Sequence, residues 1–341
     1  MLGYLLKRIA LMLPTLLGAL TLTFVVIQFV PGGPVEQLLA QSHMGRGGVY
    51  KSRGDTDAKQ IEELKKLYGF DKPASVRYVD MLRNFASFNL GRSFTHDKDV
   101  WQLIKEKLPV SISLGLWTFF ISYLISVPLG IAKAVREGSR FDVLSSALVL
   151  IGYAIPGFVL GVLLIVLFAG GSFFDLFPLR GLTSDHWAEL SWPARIRDYL
   201  WHLTLPLTCM VLASFAEMTL LTKNTFIEEM RKQYVLVARA KGLSQHRVLW
   251  KHILRNAMIP LVTGFPAAFV GAFFAGSLLI ESLFSLDGLG LLSYESVVRR
   301  DYPVVLGSLY LFTLIGLGVK LLSDLLYMVV DPRVQFGAVG K

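Results

Sequence analysis

This 341-residue chain has little charge and few of the groups that do covalent chemistry. Asp, Glu, Lys and Arg make up 17% of it, against 53% hydrophobic residues; soluble domains carry roughly a quarter charged. It has one cysteine, Cys209, which excludes an intramolecular disulfide framework. No G-x-x-x-x-G-K followed by Ser or Thr occurs, so no phosphate loop is available to hold ATP. The histidines (His43, His96, His186, His202, His246, His252) show no H-E-x-x-H or similar ligand spacing, and no G-x-S-x-G elbow presents a serine. These absences argue against catalytic residues, a metal site or a cofactor bound by this chain.

What the chain does have is long uncharged runs. Residues 9–30, 110–132, 143–174 and 256–280 carry no charge over 22, 23, 32 and 25 residues. A spanning helix needs about 20 apolar residues, and a soluble fold rarely hides an uncharged run of 32. Two further windows hold a few polar exceptions: 199–222 contains His202 and Glu217, and 302–330 contains Lys320 and Asp324. The expectation is an all-α polytopic membrane protein with six spans. Lys7 and Arg8 precede the first run, but it is too long for a signal-peptide core and no small-x-small cleavage site follows, so it reads as a permanent span.

Lys and Arg in short loops report orientation. The 133–142 loop carries Lys133, Arg136 and Arg140, and the 223–255 segment carries eight Lys or Arg against Glu228 and Glu229. The other short loops are balanced or acidic. Both termini and the 223–255 segment are therefore expected in the cytoplasm, with the long first loop outside. The same bias explains the pI near 9.5 without nucleic acid, which is not an expected partner. The expected organisation is an N-terminal span at 1–31, an outer loop at 32–108, a five-helix core at 109–335 containing a cytoplasmic loop at 223–258, and a tail at 336–341. In the outer loop, 61–70 and 99–108 have apolar residues at helical spacing and read as short amphipathic helices, while the Gly- and Ser-rich 44–57 reads as mobile. They serve either as surface decoration or as a docking surface for an external partner.

Within the spans the devices are for packing. Ala267, Gly271 and Ala275, then Ala268, Ala272 and Gly276, repeat every four residues, as Gly157 and Gly161 do; such stripes let helices approach closely. Phe265, Phe269, Phe273 and Ser277 either line a pore or pack. The intramembrane ionisable groups are Glu217, Lys320 and Asp324, the last two spaced to pair on one face. Glu217 and Asp324 lie toward the cytoplasmic ends of their windows, whereas a proton relay places carboxylates near the midplane. A proton-driven secondary transporter is the rival that such a carboxylate would have favoured.

The basic 223–255 segment is the most informative. Residues 224–241 favour a helix with Phe226, Met230, Tyr234 and Val237 or Ala238 on one face. Gly242 can take the left-handed backbone that ends a helix, and Ser244 can cap a second one running to about Asn256, with Leu249, Ile253 and Ala257 aligned. Two short helices meeting at a glycine bend could lie on anionic lipid or dock in a soluble partner.

Several segments carry a resemblance. Ala238-Arg-Ala-Lys-Gly242-Leu-Ser followed by His252-x-x-Arg255-Asn-Ala-x-Ile-Pro260 resembles the cytoplasmic coupling loop of ABC importer permeases of the oligopeptide/dipeptide family. Tyr4-Leu-Leu-Lys-Arg8, Leu90-Gly-Arg-Ser-Phe94, Val127-Pro-Leu-Gly130, Glu281-Ser-Leu-Phe-Ser-Leu-Asp-Gly-Leu-Gly290, Arg300-Asp-Tyr-Pro-Val304 and Asp331-Pro-Arg333 resemble the same family along the whole chain. Pro31-Gly-Gly-Pro-Val-Glu-Gln37 and Leu221-Thr-Lys-Asn224 are most similar to its Yej-type peptide-importer branch. The resemblance implies a type I ABC importer permease in the bacterial inner membrane, forming half a pore for peptides or peptide-like compounds. It implies a second homologous permease, two ABC ATPase subunits or one fused tandem ATPase carrying ATP and Mg, a periplasmic peptide-binding protein, and a lipid bilayer as surroundings. It assigns contact with the ATPase to Ala238, Arg239, Lys241, Gly242, Leu243, Ser244, Arg247, Val248, Trp250 and His252. One departure stands out: Leu236 occupies the place of the glutamate that begins the family's loop motif, so that contact does not carry over.

Overall fold

The computed structural model describes residues 2–30, 71–171, 173–274 and 277–330. The expectations for 44–57 and 61–70, and the motifs at 31–37 and 331–333, lie outside the described residues. The helices are α1 (Leu2–Phe29), α2 (Ala74–Ala86), α3 (Val100–Val135), α4 (Arg140–Ala154), α5 (Gly157–Phe168), α6 (Trp192–Met230), α7 (Gln233–Ala240), α8 (Gln245–Ala257), α9 (Ile259–Phe274), α10 (Ser277–Leu283), α11 (Leu289–Val298) and α12 (Tyr302–Val330). Among the described residues the only β pairing is an isolated bridge between Arg92 and Asp99.

Leu6–Phe29, Val100–Val135 and Tyr302–Leu326 are each long and apolar enough to cross a bilayer. Three further pairs pass the same test only together: α4 with α5, bent by 90°; the two halves of α6, Trp192–Leu212 and Ser214–Met230, bent by 47°; and α8 with Ile259–Gly271, bent by 48°. Counting each bent pair as one crossing gives up to six. The uncharged run at 143–174 is thus not one straight helix. Pro156 has no N–H and pushes Ile155 out of the helical region, and Ile155 is extended (φ −86°, ψ 116°) where the chain turns. The expected short helix at 99–108 is instead the first part of α3, which continues through Pro109. Its apolar face is as expected: Val100, Leu103 and Ile104 are buried.

The chain forms two compact units, Met1–Lys107 with Leu292–Leu317, and Leu108–Leu291 with Gly318–Lys341. The first joins two of the sequence motifs. Asp301, fully buried, accepts hydrogen bonds from the Ser93 hydroxyl (2.5 Å), the Thr95 hydroxyl (2.6 Å) and the backbone N–H groups of Phe94 (3.0 Å) and Thr95 (3.2 Å). The carboxylate thereby ties the 90–94 segment to the start of α12, and charge-assisted bonds of this kind are the strong ones. Nearby, Tyr310 donates to the Phe85 carbonyl (3.1 Å) with the two rings 5.0 Å apart.

The second unit is organised by Leu114, Leu203, Leu207, Cys209, Ile280 and Phe284 in one apolar core. Gly161 meets Leu283 and the Cys209 sulfur there, so this pair of small residues serves close packing as expected. Gly271 does not: a Cβ there would meet nothing within 4 Å. The Glu281–Gly290 motif is a helix cap. Glu281 is fully buried and its Oε2 accepts from the Leu291 N–H (2.7 Å), while the Ser111 hydroxyl accepts from the Leu289 N–H (2.8 Å) and donates to Glu281 Oε1 (3.4 Å). These acceptors satisfy first-turn N–H groups of α11 that have no partner within the helix. Gly288 is required because a Cβ there would lie 2.5 Å from the Glu281 carboxyl carbon. Gly288→Ala should lower the stability of the detergent-solubilised chain by about 1–3 kcal/mol, the usual cost of overpacking, whereas Gly264→Ala, with nothing within 4 Å of the added carbon, should not. Thermal unfolding of the two variants checks this, and equal midpoints would disprove the cap.

Candidate functional site

The basic segment folds as a helical hairpin, with one difference from the sequence expectation. The first helix is not continuous over 224–241. α6 runs on to Met230, the chain breaks at Arg231 and Lys232, and α7 restarts at Gln233. Phe226 and Val235 explain the break. Nine residues apart in one helix, they would point to opposite faces; both are fully buried in the same core only because the chain turns between them. Charges hold the corner: Lys232 pairs with Glu229 and, at 3.7 Å, with Glu228, Tyr234 donates to Glu229 (2.7 Å), and Arg231 meets Glu137 (2.9 Å). The Glu229 hydrogen bond holds the Lys232 ammonium above the ordinary lysine range, and burial pushes the Tyr234 phenol up.

The bend is where the sequence puts it. Gly242 has φ +79°, and its N–H donates to the Arg239 carbonyl (2.9 Å) while that of Leu243 donates to the Ala238 carbonyl (3.3 Å). Ser244 caps the second arm by accepting from the Arg247 N–H (3.4 Å). Inside that arm Val248–Ile253 is a π-helical turn. The wider turn changes the register, so the buried set is Val248, Ile253 and Ala257, with Leu249 only partly covered instead of the aligned face expected from 3.6 residues per turn.

Of the residues singled out from sequence, Arg239, Lys241, Gly242, Ser244, Arg247 and Trp250 are exposed, Leu243 and His252 are half-buried, and Ala238 and Val248 lie in the hairpin's core. Leu236 is 60% exposed and Val237 53%, which puts an apolar patch where the family's glutamate would stand. The hairpin core also contains Ile131 and Ala134 from the end of α3 and Phe226 from α6. The arms are thus packed onto the ends of two spans.

Beside them is a charge cluster that sequence reading treated only as loop charge. Lys133 is fully buried, and its ammonium donates to the Asp142 carbonyl (3.1 Å), Ser145 (2.9 Å) and Ser146 (2.7 Å), with Asp142 Oδ1 at 3.4 Å. Lys223, from α6, reaches both Asp142 oxygens at 2.7 and 2.8 Å. The Asp142 carboxylate therefore joins the ends of α3, α4 and α6. The clue in the sequence is that Lys133, Asp142 and Lys223 are the charges bordering three apolar windows, two of them uncharged.

The other candidates are scattered. Phe265 and Phe269 pack edge-on to Phe119, with centroids at 4.7 and 5.3 Å. Phe273 and Ser277 fall in 272–277, whose side chains lie outside the described set. Lys320 is exposed and makes no ion pair with half-buried Asp324; a pair four apart on a helix contributes only a few tenths of a kcal/mol, too little to hold a long side chain. Glu217 lines a cavity between α3, α6 and α9.

A helical chain with several bilayer-length apolar segments and a basic hairpin braced on the ends of two of them has the build of a multi-pass membrane protein. The chain belongs to the family of binding-protein-dependent transport system inner membrane components, whose profile matches residues 126–336. It is 54% identical to the peptidoglycan transport system permease protein YejB of Agrobacterium fabrum over 98% of both chains. To the inner membrane ABC transporter permease protein YejB of Escherichia coli O157:H7 it is 51% identical, over 98% of this chain and 99% of that one. The di/tripeptide transport system permease protein DppB of Pseudomonas aeruginosa is 31% identical over 98% of this chain and 99% of its own. Among solved structures the MetNI methionine ABC transporter, in inward-facing conformations, shares the fold with TM-score 0.50 at 15% identity, covering 68% of this chain and 97% of that one. The chain is thus an ABC importer permease subunit, and ATP hydrolysis belongs to partner subunits.

The charge cluster generates a contrast. Asp142→Ala strands the buried Lys133 and should cost about 3–5 kcal/mol. Glu137→Ala removes an ion pair whose partners are 45% and 71% exposed, and should cost under about 1 kcal/mol. Unfolding midpoints of the two purified variants report the difference, and similar shifts would contradict the bracing role.

Proposed function

We propose that this chain forms half the pore of an ATP-driven importer of peptides or peptide-like compounds in a bacterial inner membrane. Its termini and the α7–α8 hairpin face the cytoplasm. It pairs with a second homologous permease and with two ABC ATPase subunits, or one fused tandem ATPase, which bind ATP and Mg. A periplasmic binding protein delivers the substrate. The relatives named for peptide or peptidoglycan transport support the substrate class.

The observation that carries the coupling role is the hairpin's construction. Its exposed side presents Arg239, Lys241, Arg247 and Trp250 around Gly242, and its buried side shares a core with the ends of α3 and α6. A push on the exposed side therefore moves both spans with it, the rigid-body form of switching transition. Ala238 and Val248 act from within, by fixing the angle between the arms. Leu236 and Val237 offer apolar contact in place of the missing glutamate.

The bend supplies a direct test. A Cβ at Gly242 would meet nothing within 4 Å, so a substitution there is accommodated sterically and strains only the backbone, by about 1–2 kcal/mol. Gly242→Val should insert at normal levels and lose coupled uptake, read as membrane abundance against peptide import. Full import by this variant would refute the coupling assignment. Purification of the detergent-solubilised chain from its native membrane should bring a P-loop ATPase with it; recovery without one would count against the reading as a whole.

A further inference from the structure

The cavity beside Glu217 has a chemistry that the coupling role does not use. It holds about 490 Å³ and is walled by α3, α6 and α9 of the second unit. Thr118, Phe119, Ser122 and Tyr123 come from α3, and Ser214 and Glu217 from α6. Two features make it a site rather than a packing gap. First, the small-residue stripe of α9 opens onto it: Gly264 and Gly271 line it, and a Cβ at either would touch nothing within 4 Å. The stripe leaves room here where a helix–helix contact would have filled it. Second, its polar groups are incompletely used. The Ser122 and Ser214 hydroxyls are bonded to each other (2.9 Å), but the buried Tyr123 hydroxyl has no partner among the described residues.

Glu217 is the single charge in this lining, and among the described residues no Lys, Arg or His lines the cavity or pairs with it. An ionisable group in a spanning helix faces a water-filled cavity or a partner because exposure to lipid is costly. Glu217 is exposed and shares this lining with the half-buried Tyr123, and such a wall suits a protonated amine, which gains a charge-assisted hydrogen bond from the carboxylate and a cation–π contact from an aromatic ring. The same wall disfavours an anionic group.

We infer that this cavity is a subsite on the transport path that receives a protonated amine of the substrate, with Glu217 as its counter-charge. The inference rests on the peptide-import reading above and deepens it. The amine is either the N-terminal ammonium of a peptide or a side-chain ammonium.

The test uses cells producing the complete importer as their only peptide uptake system. Four tripeptides cover the amine sources: N-terminus free or acetylated, each with Lys or norleucine as the side-chain donor. Initial rates at saturating peptide report passage through the permease, while KM follows delivery. Glu217→Gln should lower the saturating rate for amine-bearing peptides by roughly ten-fold, the size of one charge-assisted hydrogen bond. The ratio of amine-bearing to amine-free rates should fall toward one, with KM unmoved. Glu217→Asp should keep most of the wild-type ratio, and immunoblots of the membrane control for abundance. Loss of the effect on acetylation identifies the N-terminal ammonium; loss on norleucine substitution identifies the side chain. An unchanged ratio, or an equal fall for all four peptides, overturns the subsite. Failure of the wild-type cells to import any of the four overturns the peptide-import reading itself.

Discussion

The hairpin depends on a core that it does not own. α7 has eight residues, too few to hold a helix in water by itself. Its buried side chains, Val235 and Ala238, meet Val248, Ile253 and Ala257 of the second arm and then Ile131, Ala134 and Phe226 from the spans. Burying these groups together sets the position of both arms relative to α3 and α6. The Arg231–Lys232 break, the Gly242 turn and the π-helical register of α8 are the backbone adjustments that this shared burial demands.

Buried carboxylates do the corresponding work elsewhere. Asp142 gathers two lysines at the ends of three helices, Glu281 caps α11, and Asp301 holds the 93–95 loop. Each is satisfied by several donors, the condition under which a charge is tolerated away from water. Glu217 differs: it faces open space. The contrast separates charges that fix the architecture from the one on which the proposed subsite rests.

Much of the fold was legible in residue patterns. Uncharged windows located the apolar segments because crossing a bilayer demands length and apolarity, both properties of a local stretch. Gly242 and Ser244 marked the bend and the cap because turn conformation and capping are local too. Partner ATPases were implied by the resemblance of the 238–260 motif, not by the residue pattern itself. Other features were not legible. The kink at Pro156 was visible as a proline but not as a 90° turn. The small residues of α9 carried the same signature whether they pack a helix or open a cavity, and only the absence of a neighbour at Gly271 distinguishes them.

The sequence by itself determined that the chain is a helical membrane protein, where its basic segment lies and where that segment bends, while the ABC permease class entered through the resemblance of its motifs. These follow from composition, periodicity and motif, which are written along the chain. The tertiary structure alone decided which charges are bound and which is open, that the 90–94 and 300–304 motifs meet through Asp301, and that the hairpin is built onto two spans. Those outcomes depend on groups up to 208 residues apart converging on one another, and sequence spacing carries no measure of that distance.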